Sequence, residues 1–358
     1  MSPADHSHIP APGILFALTS ALLFGASTPF AKLLLGALDP WMLAGLLYLG
    51  SGLGLAALRI GRHIMGRPAT ETPLRLVDLP WLTGVVLAGG VIGPVLLMIG
   101  LAHTSASAGS LLLNLEGLAT MAIAWLVFRE NVDRRLLLGA FAILAGAVLL
   151  SWSGEGGEFS FGWGALAIAG ACLAWGIDNN LTRKLSAADP VQIALIKGLV
   201  AGSVNLILSL AQGSTLPGLS VMLGAGIVGL AGYGISLVLF VLALRHLGTA
   251  RTGAYFSTAP FVGAALAIVI FGDPVTPGLI VAGALMALGI YLHVSEQHKH
   301  EHRHAEMVHE HRHRHDEHHQ HTHGPDDPVG EPHTHRHRHA PMMHKHPHYP
   351  DLHHRHSH

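Results

Sequence analysis

The sequence predicts an all-α integral membrane protein: ten transmembrane helices as two inverted five-helix repeats, followed by a disordered C-terminal tail. Three observations predict it. Apolar runs of about 17–25 residues recur between Gly13 and Leu292, each close to the length that crosses a hydrocarbon core of ~30 Å. Half of the 358 residues are apolar and only 12% are charged, against roughly 25% charged in an ordinary soluble domain. The first half of the apolar region is also echoed, in order, by the second.

The spans fall near 13–35, 40–60, 79–100, 104–128, 135–152, 161–182, 190–211, 219–243, 249–271 and 276–293. Apolarity runs all round each helix, as lipid and buried helix contacts demand, rather than along one stripe. The first run has no Lys or Arg before it and no A-x-A-like site behind it, so it reads as a retained span. The single cysteine, Cys172, lies in an apolar run and allows no disulfide within the chain. Small residues crowd "LGSGLGLAA" (Leu49–Ala57) and "VLAGGVIGP" (Val86–Pro94), where they let helix backbones approach closely. Trp41, Trp81, Trp152 and Trp163 fall at span ends and read as interfacial anchors.

Orientation follows from the basic residues. Arg62, Arg67, Arg75, Arg129, Arg134, Arg135, Arg183, Lys184, Arg245 and Arg251 collect on one side, while the opposite link 153–160 offers only Glu155 and Glu158. The positive-inside rule puts both termini in the cytoplasm and makes the cytoplasmic (inner) membrane the expected location. The internal echoes are "FGASTPFAK" with "WGIDNNLTRK", "DPWMLAGLL" with "DPVQIALIK", "GLAHTSAS" with "ALRHLGTA", and "AWLVFRE" with "AIVIFGD", at offsets of 143–151 residues. Five spans per copy is an odd number, so the second copy enters the membrane with opposite polarity. Many secondary transporters are built this way around a midplane site. The resulting units are 1–152, 153–293 and a tail, 294–358.

The stretch "TSASAGSLLLNLEGLATMAIAWLVFRE", Thr104 to Glu130, resembles the fourth span of EamA-type permeases of the drug/metabolite transporter superfamily. "LFGASTPFAKLLL" and "LDPWMLAGLLYLG" fit the same pattern. The resemblance spans 13–292 and leaves the tail outside. It implies ten helices around a central cavity and export or exchange of a small solute such as an amino acid, a drug-like amphiphile or a metabolite. Two departures stand out: the family's proline after the glutamate is Gly117, and the second copy keeps Pro260 but replaces the acid with Ala259. Proline forces a bend and glycine only permits one, so a paired-hinge role for Gly117 and Pro260 is weakened in the first repeat.

Ionisable and polar groups inside spans are costly and therefore candidate site residues. Glu116 sits mid-span, where it could meet a cationic part of a solute, carry a coupling proton, or simply bond to Asn114 or a backbone carbonyl. Asp178, Asn179 and Asn180 cover most of a helix circumference, so at least one faces inward. Lys197 is shallow enough to snorkel, or to meet Asp178 or an anionic solute. Lys32 reads as an anchor, and His103 and His246 as solvated histidines in turns. No catalytic residue is expected. No phosphate-binding G-x-x-x-x-G-K-[S/T] motif, nucleophile elbow or H-E-x-x-H occurs, so neither enzymatic chemistry nor a cofactor for transport is expected.

The tail from His298 to His358 carries 23 of the 29 histidines. His-x-His spacing dominates: His298, His300, His302 and His304; His309, His311, His313 and His315; His333, His335, His337 and His339; with His318, His319, His321 and His323 between. Neutral imidazole suits zinc, nickel, cobalt and copper, and the many prolines and few large apolar residues argue against a packed core. The tail is expected to be a disordered, multi-site metal binder. The combined expectation is a secondary transporter, an exporter of a small solute or metal chelate, with a metal-binding tail. Direct efflux of divalent Ni, Co or Zn is the alternative, and a membrane-anchored metal store or regulator a second. Lipid, solute and metal ions are the expected partners, with no nucleic acid; the oligomeric state stays open, a homodimer included.

Overall fold

The computed structural model describes residues 11–66, 71–128, 134–151, 162–185, 188–294, 298–304, 307–313, 333–339 and 342–348. Trp152, His315, His318, His319, His321 and His323 lie outside the described residues. Among the described residues of 11–294 the regular elements are all helical. In chain order they are α1 (Ala11–Leu34), α2 (Pro40–Ile64), a 3₁₀ turn (Leu76–Asp78), and α3 (Leu79–Val85), which runs through a π-helical segment (Val86–Ile92) into α4 (Gly93–Ala102). Then come α5 (Ala106–Leu112), α6 (Leu115–Phe128), α7 (Arg134–Ser151), α8 (Trp163–Leu185) and α9 (Pro190–Ala211). The chain continues through α10 (Leu219–Gly229), a second π segment (Leu230–Ile235), α11 (Ser236–Phe256), α12 (Ala259–Phe271) and α13 (Pro277–Val294). Among the described residues, seven helical stretches are long and apolar enough to cross a bilayer by length and composition.

The sequence starts helices α2 and α9 with the same device. Asp39 accepts the amides of Trp41 and Met42, both at 3.0 Å, with Pro40 as the first helical residue. Asp189 accepts the amide of Val191 at 2.9 Å ahead of α9, again followed by proline. An N-cap carboxylate satisfies donors that the first turn leaves free, and proline has no donor to lose there. Burial works to raise the Asp39 carboxyl, but the Met42 amide, the Ser214 and Ser209 hydroxyls and the Trp41 amide outweigh it and hold it below its usual range. Each cap also grips the far end of the other helix. Ser209 donates to Asp39 at 3.0 Å, and Arg59 pairs with Asp189 at 3.1 Å.

Those crossed caps fit antiparallel packing of α2 on α9. Gly45 lies against Leu206, Gly202 against Leu49, and Gly52 against Gly198 and Leu199. Helices α7 and α13 repeat the arrangement, with Gly139 against Gly289 and Gly146 against Ala282. Helix α1 packs on α11 and α12: Ser20 Oγ donates to the Ser236 carbonyl at 2.7 Å, Ser236 Oγ donates to the Ser20 carbonyl at 3.0 Å, and Gly25 meets Ala259. Helix α8 packs reciprocally on α4 and α6, Trp175 on Gly93, Ile168 on Gly100, and Gly176 on Ala119. The first helix of each half therefore packs on the third and fourth spans of the other half.

Four interruptions break the regular α-helix of the spans. The π segments occupy corresponding places in the third and eighth spans. The fourth span breaks at Leu113–Asn114 and its counterpart at Ser257–Thr258. The first break forms without proline, which corrects the expectation that a bend there was in doubt. Asn114 supplies it: its side-chain amide returns to the Leu111 carbonyl at 2.9 Å, as the Thr258 hydroxyl returns to the Tyr255 carbonyl at 2.6 Å. Gly117 follows the break, and Pro260 sits in the first turn of α12. His246 is not in a turn: α11 runs through it to Phe256, and its ring lies 5.6 Å from that of Phe16.

The tail departs from expectation as well. It carries four strands, β1 (His298–His304), β2 (Met307–His313), β3 (His333–His339) and β4 (Met342–His348). β1 pairs antiparallel with β4, and β2 with β3. His-x-His repeats have a period of two, which is the period of a strand, and Pro347 is tolerated on a strand with a free edge.

A Cβ on Gly52 would stand 2.5 Å from the Leu199 backbone nitrogen, whereas one on Gly61 meets nothing within 4 Å. Gly52→Val is therefore expected to destabilise the purified protein by about 1–3 kcal/mol through overpacking. Gly61→Val should stay within ~1 kcal/mol, the helix-propensity difference; thermal unfolding in detergent compares the two.

Candidate functional site

The break in the fourth span decides where Glu116 goes. Residues 113 and 114 leave the helix, and α6 restarts at Leu115, so Glu116 stands in the first turn of a new helix. The positive end of that half-helix favours an anionic side chain. Across from it, α8 presents Asn179, whose side-chain amide donates to Glu116 Oε1 at 2.9 Å and to Thr120 Oγ1 at 3.2 Å. Thr120 in turn donates to the Glu116 carbonyl at 2.9 Å. Asn180 donates to the carbonyls of Thr120 and Gly176, at 3.1 and 2.8 Å, and so ties α8 to α6. An ionised carboxylate has about four lone-pair sites, more than Asn179 can fill.

Asp178, one residue earlier on α8, turns to a different helix. Lys197 of α9 donates to Asp178 Oδ2, and Thr182 donates to Oδ1 at 3.0 Å. Both ends of the pair are buried, Asp178 at 5% exposure and Lys197 at 6%. Lys197 therefore does not snorkel. A buried partner at hydrogen-bond distance offers it more than a stretch to the interface would. Asn114 is not brought to Glu116; it bonds to Leu111 and lies 3.6 Å from Met286 Sδ. Lys32, read as an anchor, donates instead to the carbonyls of Leu101 and Thr104, where α4 gives way to α5.

The residues between these polar groups are ones the sequence reading passed over. In the third-span π segment, Gly89 O accepts from Tyr48 OH at 2.7 Å and from Trp175 Nε1 at 3.0 Å. Gly90 O accepts from Asn205 Nδ2 at 3.0 Å. Gly89 also lets Asp178 pack directly on the backbone. Aromatic rings surround this point: Tyr48 and Tyr233 at 5.3 Å, Phe24 and Trp175 at 6.1 Å, Phe24 and Phe256 at 5.3 Å. Asn205 is fully buried and its Oδ1 has no hydrogen-bond partner among the described residues. A lone amide within the apolar run "SVNLILSL" was the available signal for it.

The core thus joins one acid with spare acceptor capacity, one internally neutralised ion pair, and an aromatic wall, on helices from both halves. The EamA-like transporter family matches residues 11–152 and, a second time, residues 162–295. The chain belongs to the EamA-like transporter family. An uncharacterized transporter of Methanothermobacter thermautotrophicus is 29% identical over 296 residues, 78% of this chain and 85% of that protein. The inner membrane transporter YedA of Escherichia coli K12 is 26% identical, covering 79% of this chain and 92% of its own. A protein of Salmonella typhimurium named a probable amino-acid metabolite efflux pump is 29% identical over 207 residues, 53% of this chain and 67% of that one. A solved crystal structure shares the fold with a TM-score of 0.57 at 20% identity, covering 78% of this chain and 95% of that one. This EamA-like protein is accordingly a multi-pass membrane protein and a transporter.

Removing one member of a buried ion pair strands the other charge, at a cost of about 3–5 kcal/mol. Lys197→Met is expected to lower stability by that order, and Asp178→Asn with Lys197→Met to recover most of it. Thermal unfolding of the two variants in detergent checks this; equal losses would show that the pair does not act as a unit.

Proposed function

We propose that this EamA-like protein is a secondary transporter of the cytoplasmic membrane that exports a small solute, with Glu116 at the centre of its site. In this reading ten spans form two inverted five-helix repeats, both termini are cytoplasmic, and the tail binds zinc, nickel, cobalt or copper. The observation that carries the proposal is reciprocal packing around paired helix breaks. α1 meets the third and fourth spans of the second half, α8 meets those of the first, and both fourth spans break at corresponding residues. A two-fold axis in the membrane plane generates that reciprocity, and discontinuous helices at the midplane are where such carriers place their ligands. The half-helix start bearing Glu116 is one such place.

Glu116 would meet a positively charged part of the solute or exchange the coupling proton, with Asn179 and Thr120 fixing its orientation. Asp178 and Lys197 cancel each other, so the core keeps the single negative charge of Glu116 for a ligand. Among the described residues of 11–294 no three His, Cys, Asp or Glu side chains stand together as a metal site, and a bare divalent ion would want several such ligands. An amine-bearing metabolite or a metal chelate suits the site better. The amino-acid metabolite named for the Salmonella relative belongs to that class of solute.

The test is flux in proteoliposomes across amino acids, metal ions and metal chelates, with full-length protein, Glu116→Gln, and a chain lacking 298–358. Glu116→Gln is expected to lose about tenfold or more of solute flux, the equivalent of one charge-assisted contact, while unfolding at an unchanged temperature. The tail-less chain should retain solute flux and lose metal binding. Undiminished flux in Glu116→Gln would overturn the role of this residue. Movement of bare Ni, Co or Zn by the tail-less chain, with no organic solute carried, would establish metal efflux instead.

A further inference from the structure

The two tail ladders share one register. His304 is opposite Met342, and Met307 opposite His339, so the offset that runs through β1 and β4 continues into β2 and β3. That register sets histidine opposite histidine six times: His298 with His348, His300 with His346, His302 with His344, His309 with His337, His311 with His335, and His313 with His333. At the alternate positions it sets acid opposite base, Glu301 with Lys345 and Glu310 with Arg336. A shift by one residue would put each histidine opposite the wrong set, because successive residues belong to opposite faces. A shift by two would keep histidine opposite histidine in places but would take Glu301 off Lys345 and Glu310 off Arg336. Opposite charges directly across a ladder favour the pairing, so the intervening residues specify the register that aligns the histidines.

Directly opposed residues share a face with Cα atoms ~4.5–5.5 Å apart, and the next pair on that face follows about 6.8 Å along the strands. Two successive pairs therefore place four histidines at the corners of a small rectangle. We propose that transition-metal ions bind between the strands, at the quartets His300, His302, His344, His346 and His309, His311, His335, His337, and so close the two arms of the tail on each other. This rests on the reading of the tail as a metal binder and adds that the ligands come from both arms together. Zinc takes four such ligands in a tetrahedron with Zn–N of about 2.0–2.1 Å. A lone two-stranded ladder without an apolar face is marginal in water. A metal bridging its strands supplies the missing stabilisation, because binding free energy becomes folding free energy. The tail is then a clasp that metal closes, not a string of independent ligands.

The full chain in detergent, carrying Arg303→Cys and Met343→Cys, gives the test. These residues are opposed in the β1–β4 ladder, the substitutions spare every histidine and charge pair, and the native Cys172 is buried. Spin labels at the two sites should show a broad distance distribution without metal. On adding Zn²⁺ it should become a short, narrow one, reversed by a chelator. A chain lacking 333–348 keeps the histidines of β1 and β2, yet should bind Zn²⁺ at least about tenfold more weakly per site, a single contact's worth of affinity. Full-chain Zn²⁺ binding with no shortening of the distance, or unchanged affinity in the one-arm chain, would overturn the clasp and leave a metal-binding tail of independent ligands. No Zn²⁺ binding by the full chain would overturn both.

Discussion

A backbone carbonyl released inside a bilayer has no water to turn to, and leaving it unpaired costs several kcal/mol. The bundle breaks or loosens its helices at four places, so protein groups must supply what lipid cannot. At the fourth-span break the Leu111 carbonyl takes both the backbone and side-chain amides of Asn114, and Leu113 takes the amide of Glu116. Cys172 lies 3.7 Å from the Leu112 carbonyl with its thiol as donor. In the third span Gly89 and Gly90 are served by Tyr48, Trp175 and Asn205, from three different helices. The interruptions are thus the points at which separate helices are bound to one another. A residue such as Trp175 both closes the backbone account and lines the core.

The same constraint separates the two acids of the core. Asp178 is satisfied within the protein, by Lys197 and Thr182, and its pairing pins α8 to α9 beside the π segment. Glu116 receives the Asn179 amide from α8 at the start of a short helix. Two carboxylates within one turn of contact of α8 therefore have opposite characters: one is consumed by structure and one retains capacity. Desolvation makes an unpaired charge in such a place expensive, which is why retained capacity points to a ligand or a proton rather than to stability.

Much of this could be read from the chain beforehand. The Asp-Pro pairs at 39–40 and 189–190 announced helix starts because capping is local chemistry, and the apolar runs announced spans because bilayer thickness is fixed. Glu116 and the Asp178 region stood out because charge in a span is rare. What stayed hidden depended on partners from distant helices. The small-residue stretch at 86–94 suggested close packing, but there Tyr48, Trp175 and Asn205 reach the Gly89 and Gly90 carbonyls from other helices, and no local pattern encodes that. Lys197 was ambiguous for the same reason: depth alone permits snorkelling, and only the position of Asp178 one helix away decides. The histidine tail was weighed by composition, which argues against a core, while its period of two favoured strands.

A scaffold with matched breaks does not require matched chemistry. Position 114 and position 258 both return a side chain to a carbonyl three residues back, one as an amide and one as a hydroxyl. The acid that follows the first break has Ala259 or Pro260 in its place after the second. In the proposed two-fold arrangement, equal hinges let the halves exchange conformations at similar cost, whereas the acid on one side alone keeps the solute bound to one helix throughout the exchange. An acid on both breaks would bring like charges together near the axis and raise the cost of desolvating each. In that proposed arrangement, symmetry in the backbone with asymmetry in the charge would permit both motion and a single, defined binding group.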